Sequence, residues 1–227
     1  MRCLVSWSSG KDSAWMVHTL RAQGVPLGGI LTTINEQAQR VAMHAVRVEL
    51  LETQAAALGL PLRMVPIPSP CSNEQYERAM GAVVAAAVAD GFTHVAFADL
   101  FLADIRKYRE ERLAGTGLTP IFPLFADDSA TPVLAREMIA GGLRARITCV
   151  DPKQLDRRFG GREFDAALLE DLPPGADPCG ERGEFHTFAY DGPMFSRPIP
   201  IDTGVSVERD GFVFTDLTPV AQKLGGD

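Results

Sequence analysis

What most limits the folds open to this chain is the alternation, through its first half, of short apolar runs with segments of helical period. Strands that alternate with helices pair in parallel, because each helix carries the chain back across one face of the sheet. Cys3 to Trp7, Gly29 to Ile34, Arg63 to Ile67 and His94 to Ala98 read as strands. Between them, Ser13 to Gln23, Ala42 to Leu58 and Glu74 to Ala89 place apolar residues at helical spacing; Gly24 and Gly59 close the first two, and Ser72 or Asn73 caps the third. The run Pro66-x-Pro68-x-Pro70 must be extended, since each proline disfavours helix at the residue before it. A basic helix from Phe101 to Ala114 and a strand around Pro120 to Phe122 complete the pattern. The expected fold is α/β, a doubly wound and mostly parallel Rossmann-like sheet.

The second half differs. One helix at Pro132 to Ala140, a strand at Ala145 to Val150 and a short acidic helix at Glu163 to Asp171 give way to Gly- and Pro-rich loops. Short strands follow at Glu184 to Tyr190, Val205 to Arg209 and Phe212 to Thr215, and Asp210-Gly211 between the last two is a hairpin signal. These features predict a domain over 1–128 and a smaller C-terminal α+β domain over 129–227, divided near Asp127 to Thr131.

Composition narrows the classes. With 227 residues and 46% hydrophobic content the chain can bury a sizeable core. A formal charge of -7 and a pI near 5.2 argue against nucleic acid as a partner, because its capture needs an excess of Lys and Arg. Cys3, Cys71, Cys149 and Cys179 are scattered, without disulfide-framework or zinc-ligand spacing, which fits a reduced cytoplasmic chain. No secretory leader is read at the start, and the longest apolar region, Met80 to Ala98, is broken by Asp90 and Gly91, so no membrane partner is expected.

The loop after the first strand, Ser8-Ser9-Gly10-Lys11-Asp12-Ser13, leads straight into a helix. Small residues there bring backbone N–H groups close to a ligand, and the helix start presents unpaired donors and a positive dipole end, which together suit a phosphate. A turn followed by a helix cap uses the same residue types. The Walker loop fails on spacing, since Lys11 follows a single useful glycine, and the dinucleotide loop needs three glycines where only Gly10 stands. What remains, Ser-x-Gly-x-Asp-Ser, resembles the pyrophosphate loop of the PP-loop ATP pyrophosphatases, with Ser9 in place of the first glycine of the usual form.

A second motif runs from Asp177 through Cys179-Gly-Glu181-Arg-Gly-Glu184-Phe-His186-Thr-Phe188 to Asp191-Gly-Pro-Met-Phe195. Two carboxylates three apart, with a histidine two residues beyond, can serve metal ligation, ammonium binding or proton transfer; a solvated loop entering a strand, with Glu184 and His186 on one face, is the other reading. This block is similar to the C-terminal signature of the diphthine-ammonia ligase family of PP-loop enzymes. A third block agrees: Phe97-Ala98-Asp99-Leu100-Phe101, Arg106-x-Tyr108-Arg109-x-x-Arg112-Leu113 and Pro123-Leu124-Phe125, where Ala98 replaces glycine and Phe125 replaces tryptophan. The resemblance spans roughly residues 1 to 195.

The resemblance implies an adenine nucleotide alpha hydrolase (HUP-type) sheet with ATP beyond the ends of its central strands. It also implies a reaction that adenylates a carboxylate, releases pyrophosphate and lets ammonia displace AMP. In the best-known members the carboxylate is diphthine on elongation factor 2; a small-molecule carboxylate, or a nucleotide sensor without catalysis, are the rival readings. Ser8, Ser9, Gly10, Lys11, Asp12 and Ser13 would hold the pyrophosphate. Asp12 or Asp99 would hold Mg2+, unless Asp12 caps the helix. Asp99, Glu181, Glu184 and His186 would form the catalytic and acceptor-binding set, with ammonia or ammonium as the nitrogen source, unless His186 is a packed strand residue. The segment Arg40 to Arg47, with Met43 and His44, is expected to be a solvated helix start more than a pocket wall. Arg106, Arg109 and Arg112 are expected to form a salt-bridged face more than an anion clamp. A homodimer is compatible with all of this.

Overall fold

The computed structural model describes residues 1–220. In chain order the elements are β1 (Cys3–Ser6), α1 (Lys11–Ala22), β2 (Leu27–Asn35), β3 (Arg40–Val41), α2 (Val48–Leu58), β4 (Leu62–Ile67), α3 (Asn73–Ala89), β5 (His94–Ala96), α4 (Ala103–Leu113), β6 (Thr119–Ile121), α5 (Thr131–Ala140), β7 (Arg144–Val150), α6 (Ala166–Asp171), β8 (Phe185–Asp191), β9 (Ile201–Arg209) and β10 (Phe212–Pro219).

The first sheet is parallel at every pairing except that of β3, which adds antiparallel to the last residues of β2. β1 is central, with β2 and then β4 on one side and β5 and then β6 on the other. The chain therefore winds outward through β2 and β4, then crosses to the other side of β1. Loops leaving β1 and β5 diverge at that reversal and open a crevice beyond the strand ends. The alternation of β1 sends Cys3 and Val5 to one core and Leu4 to the other. On the Leu4 side α3 and α4 cover the sheet through Ala87 and Leu113. On the other side α1 and α2 pack Met16, Val17, Leu20, Leu50, Leu51 and Leu58.

The second sheet is antiparallel, ordered β8, β7, β10, β9. Its Ile147, Val150, Phe185 and Phe188 belong to the same continuous core as α1 and α2. The division at residue 128 thus separates two sheets that share one core; as a boundary between domains it stays our proposal. The hairpin joining β9 to β10 turns through Asp210 and Gly211 with φ of 53° and 82°, both left-handed, as a two-residue turn of this hand requires. Of the two candidate caps for α3, Ser72 is the one used: its hydroxyl accepts from Gln75 N, and Gln75 returns a bond to Ser72 N. Among the described residues no helix is long and apolar enough to cross a membrane.

One element departs from expectation. The helical period beginning at Ala42 does not form a helix before Val48. Gln39, Met43 and Ala45 have φ of 50°, 63° and 55°, which a right-handed helix excludes, and Val41 N donates to Val46 O at 2.8 Å to close a tight turn. Val41 and Val46 are buried, so the apolar spacing reflects burial of a loop and not a helical face.

Candidate active site

The β1 loop sits at the reversal crevice, and its conformation is specific. Ser9 has φ of 70°, the left-handed region that glycine adopts freely and serine does not. Its hydroxyl is buried without a hydrogen-bond partner among the described residues. The Ser8 and Ser13 hydroxyls lie 3.1 Å apart, and Ser13 Oγ donates to Gly10 O at 3.0 Å. Gly10 is the N-cap of α1 with no side-chain capping bond, so Asp12 does not cap the helix.

Three contacts lace this loop to the second sheet. Lys11 N donates to Thr187 Oγ1 at 3.0 Å, so this backbone group is already occupied. Ala189 N donates to Ser9 O at 2.9 Å. The fully buried Gln54 amide accepts from Trp7 Nε1 (3.0 Å) and donates to Ser9 O (3.0 Å) and Ala189 O (2.6 Å), tying the β1 loop, α2 and β8 through one side chain. Leaving such groups unpaired costs about 1–3 kcal/mol each, so a polar side chain on the buried face of α2 is the sequence signal that marks this knot.

The Lys11 side chain does not reach outward. It is 2% exposed; its Nζ donates to both Asp12 carboxylate oxygens (2.9 and 2.8 Å) and to the carbonyl of Cys179. Phe164 and Phe185 present their ring faces to it at 5.4 and 5.5 Å. Burial alone would lower the ammonium's pKa, but Asp12, Cys179 and Glu181 outweigh it and hold it above its ordinary value. Lys11 therefore binds the first motif to the second.

In the second motif, Asp177 and Glu184 shape the loop. Asp177 accepts from Cys179 N, Glu181 N and the Thr131 hydroxyl. Glu184 is buried, and its two oxygens accept from Asp177 N (2.8 Å) and Arg182 N (3.0 Å). Gly180 turns at φ of 72°, and a Cβ there would lie 2.8 Å from Phe185 O. The loop so held presents Glu181 inward, where it accepts from Leu100 N at 2.8 Å and burial raises its pKa to about 7.

These parts enclose a cavity of about 270 Å³, lined by Ser8, Asp12, Asp99, Glu181 and His186 among others. Of the residues singled out in the sequence, Ser8, Lys11, Asp12, Ser13, Asp99, Glu181 and His186 line it, while Ser9, Gly10 and Glu184 lie outside its lining. Asp99 is held bidentately by Arg109 (2.6 and 3.0 Å), whose guanidinium lies over Phe97. Arg106 pairs with Glu110 and Arg112 with Glu77, so the arginines of α4 form a salt-bridged, aromatic-stacked face. A larger, mainly apolar cavity of about 490 Å³ adjoins, sharing Ser8, His44, Phe97, Arg109 and His186 and extending over Thr33, Ile67 and Tyr76.

His44, expected from the sequence in a solvated helix start more than in a pocket wall, lines the cavity. It comes from the strap between β3 and α2, its ring 4.6 Å from that of His186. Its signal in the sequence is the pair of arginines bracketing Val-Ala-Met-His-Ala-Val: Arg40 and Arg47 both grip Asp216 of β10, at 2.9 and 2.6 Å.

The family model for the diphthamide synthase N-terminal domain matches residues 1–98, and that for the diphthamide synthase C-terminal domain matches residues 130–217. The chain is 33% identical over 124 residues to the diphthine--ammonia ligase of Rattus norvegicus, covering 51% of this chain and 45% of that protein. It is 33% identical over 122 residues to the one of Danio rerio, covering 51% and 47%. The matched stretches thus span less than half of these relatives. Among solved structures, a predicted subunit of tRNA methyltransferase from Methanocaldococcus jannaschii aligns over 85% of this chain and 98% of its own, at 14% identity and a TM-score of 0.44.

Proposed function

The chain belongs to the diphthamide synthase family, and from that premise we propose that it is an ATP-dependent amide ligase: it adenylates a diphthine-type carboxylate, releases pyrophosphate, and transfers ammonia with release of AMP. The observation that carries the reading is the Lys11 contact. One buried ammonium holds Asp12 of the β1 loop and the Cys179 carbonyl of the second motif, so a phosphate-binding turn and an acid–base loop face the same cavity.

The charges of that cavity support the reading. Asp12 is neutralised by Lys11 and Asp99 by Arg109, which leaves Glu181 as the cavity carboxylate without a cationic partner among the described residues. A polyphosphate brought beside it needs an added cation. No group of three His, Cys, Asp or Glu side chains among the described residues is arranged to hold a metal ion by itself. That fits Mg2+, which usually keeps water and is held by one or two carboxylates together with substrate phosphates. Asp12 or Asp99 would supply those carboxylates, and the ion would neutralise the leaving pyrophosphate. The Ser8 and Ser13 hydroxyls, which line the cavity, would contact phosphate. The adjoining apolar cavity suits the adenine ring, as ligand pockets are apolar with few polar groups.

Ammonium suits Glu181 for the same reason, since an oxygen with a pKa near 7 can bind the cation and take part in proton transfer. Glu184 serves by fixing this loop. The test is turnover: with ATP, Mg2+ and ammonium, AMP formation should depend on a diphthine-bearing elongation factor 2. AMP formed only with a small carboxylate would reassign the acceptor, and nucleotide binding with no AMP from any acceptor would make the protein a sensor.

A further inference from the structure

We propose that His44 is the proton acceptor for the nitrogen nucleophile in the amide-forming step. The proposal rests on the reaction proposed above and adds to it a residue from outside the three sequence motifs.

His44 lines both the loop cavity and the adjoining apolar one, so it stands where they meet. Its Nδ1 lies 3.2 Å from the Thr187 carbonyl oxygen. A carbonyl can only accept, so Nδ1 carries the hydrogen and the neutral ring keeps its bare lone pair on Nε2. Nε2 has no partner among the described residues, and it is not among the buried polar atoms that lack one, so the lone pair is accessible. His186, its ring tilted beside that of His44, makes no side-chain hydrogen bond among the described residues, so nothing fixes its tautomer. A proton arriving at His44 has one place to go. Burial, then His186 and Lys11, lower the pKa of the free ring to about 3, so it is neutral at physiological pH, and an anionic adenylate brought beside it would favour the charged form and raise its basicity in the step. Asp12, Asp99, Arg109 and Glu181 are the other charged groups facing the cavity.

The ring is also held in place. Met43 and Ala45, on either side of it, both have left-handed φ, a strain of about 1–3 kcal/mol each that persists only where the surroundings impose it. Arg40 and Arg47 anchor the two ends of the strap to Asp216. Beneath the ring lies Gly10, where a Cβ would sit 3.1 Å from His44 Cε1. The loop therefore keeps the space that the imidazole occupies.

In the step, the lone pair of ammonia forms the C–N bond at the acyl carbon of the mixed anhydride. The C–O bond to the phosphate breaks, its electron pair leaving on AMP, and one proton passes from nitrogen to His44 Nε2 and then to solvent.

The test compares wild type with His44→Gln, whose amide can still donate to Thr187 O, and with His44→Ala, using the acceptor that supports turnover and either ammonium or hydroxylamine as the nitrogen probe. Pyrophosphate release in a single turnover should persist in the Gln variant while amide formation from ammonium falls by about 10²–10⁴-fold. Hydroxylamine, less basic and neutral at pH 7, should restore much of the loss. Amide formed from ammonium at the wild-type rate by His44→Gln overturns the proposal while leaving the reaction standing. Equal loss of pyrophosphate release and amide formation also overturns it, because a structural role would do that. A wild-type protein that makes no AMP with any acceptor removes the reaction and this proposal with it. Independently of turnover, nitrogen NMR of labelled histidine at pH 7 should show His44 protonated on Nδ1 alone; a proton on Nε2 overturns the assignment.

Discussion

Lys11→Met separates a lysine that anchors the two motifs from one that binds phosphate. The substitution keeps most of the side-chain volume but removes an ammonium bonded to both oxygens of Asp12 and to the Cys179 carbonyl. Breaking a buried ion pair by deleting one partner costs about 3–5 kcal/mol, chiefly through the charge left behind. Asp12 is 25% exposed, so water partly resolvates it, and we expect the lower end, about 3 kcal/mol. A domain with roughly 5–15 kcal/mol of stability stays folded after such a loss. Urea unfolding with an unchanged slope should record it, and Lys11→Met with Asp12→Asn should recover about 1–2 kcal/mol, because the stranded charge is then gone. A stability loss under about 1 kcal/mol, together with ATP binding weakened by about tenfold or more, would show that Lys11 points at phosphate and would refute the anchor.

Four further outcomes follow from the geometry around the cavity. Asp99→Asn breaks the bidentate pair with Arg109 in the cavity wall and should abolish ATP to AMP turnover; normal turnover would remove Asp99 from the site. Glu181→Gln should change stability with a defined sign. Between its ordinary 4.5 and its folded value of about 7 the folded state holds the extra proton, so wild-type stability from this group falls as pH rises. The variant's advantage should therefore grow from pH 5 to pH 7.5 in urea unfolding, and an unchanged difference would show that Glu181 is not desolvated. His44 and His186 act oppositely, since their folded values of about 3 and 4 lie below 6.5, and they withdraw stability as pH falls below that. Gly10→Ala should cost about 1–3 kcal/mol by overpacking and shift the His44 resonances, because the new methyl would meet His44 Cε1, Ser8 Oγ and Thr187 O at 3.1–3.3 Å; unshifted resonances would show that the ring does not rest there.

The parallel sheet was legible because β1, β2, β4 and β5 are bounded by residues with strict backbone demands. Gly59 takes the left-handed position that ends α2 before β4, and in the second, antiparallel sheet Asp210-Gly211 was legible in the same way as the turn of its last hairpin. The strap was misread because Val41 and Val46 are buried like residues of a helical face while the backbone between them turns back on itself, and apolar spacing reports burial without the path. The motif residues were legible as chemistry but not as directions. Glu184 closes its own loop, whereas Lys11 points into the second motif and Gln54 ties three elements together, and the contacts of these two span sequence separations that no local pattern encodes. His44 was hidden for the same reason, because its neighbour His186 stands more than a hundred residues away.

The central claim is cleavage between the α and β phosphates in a cavity shared by the two motifs. Phosphorus NMR of the products formed from ATP, Mg2+, ammonium and the acceptor tests it most directly. The account predicts AMP and pyrophosphate in equal amounts, each matched by one new amide; ADP with inorganic phosphate would contradict it.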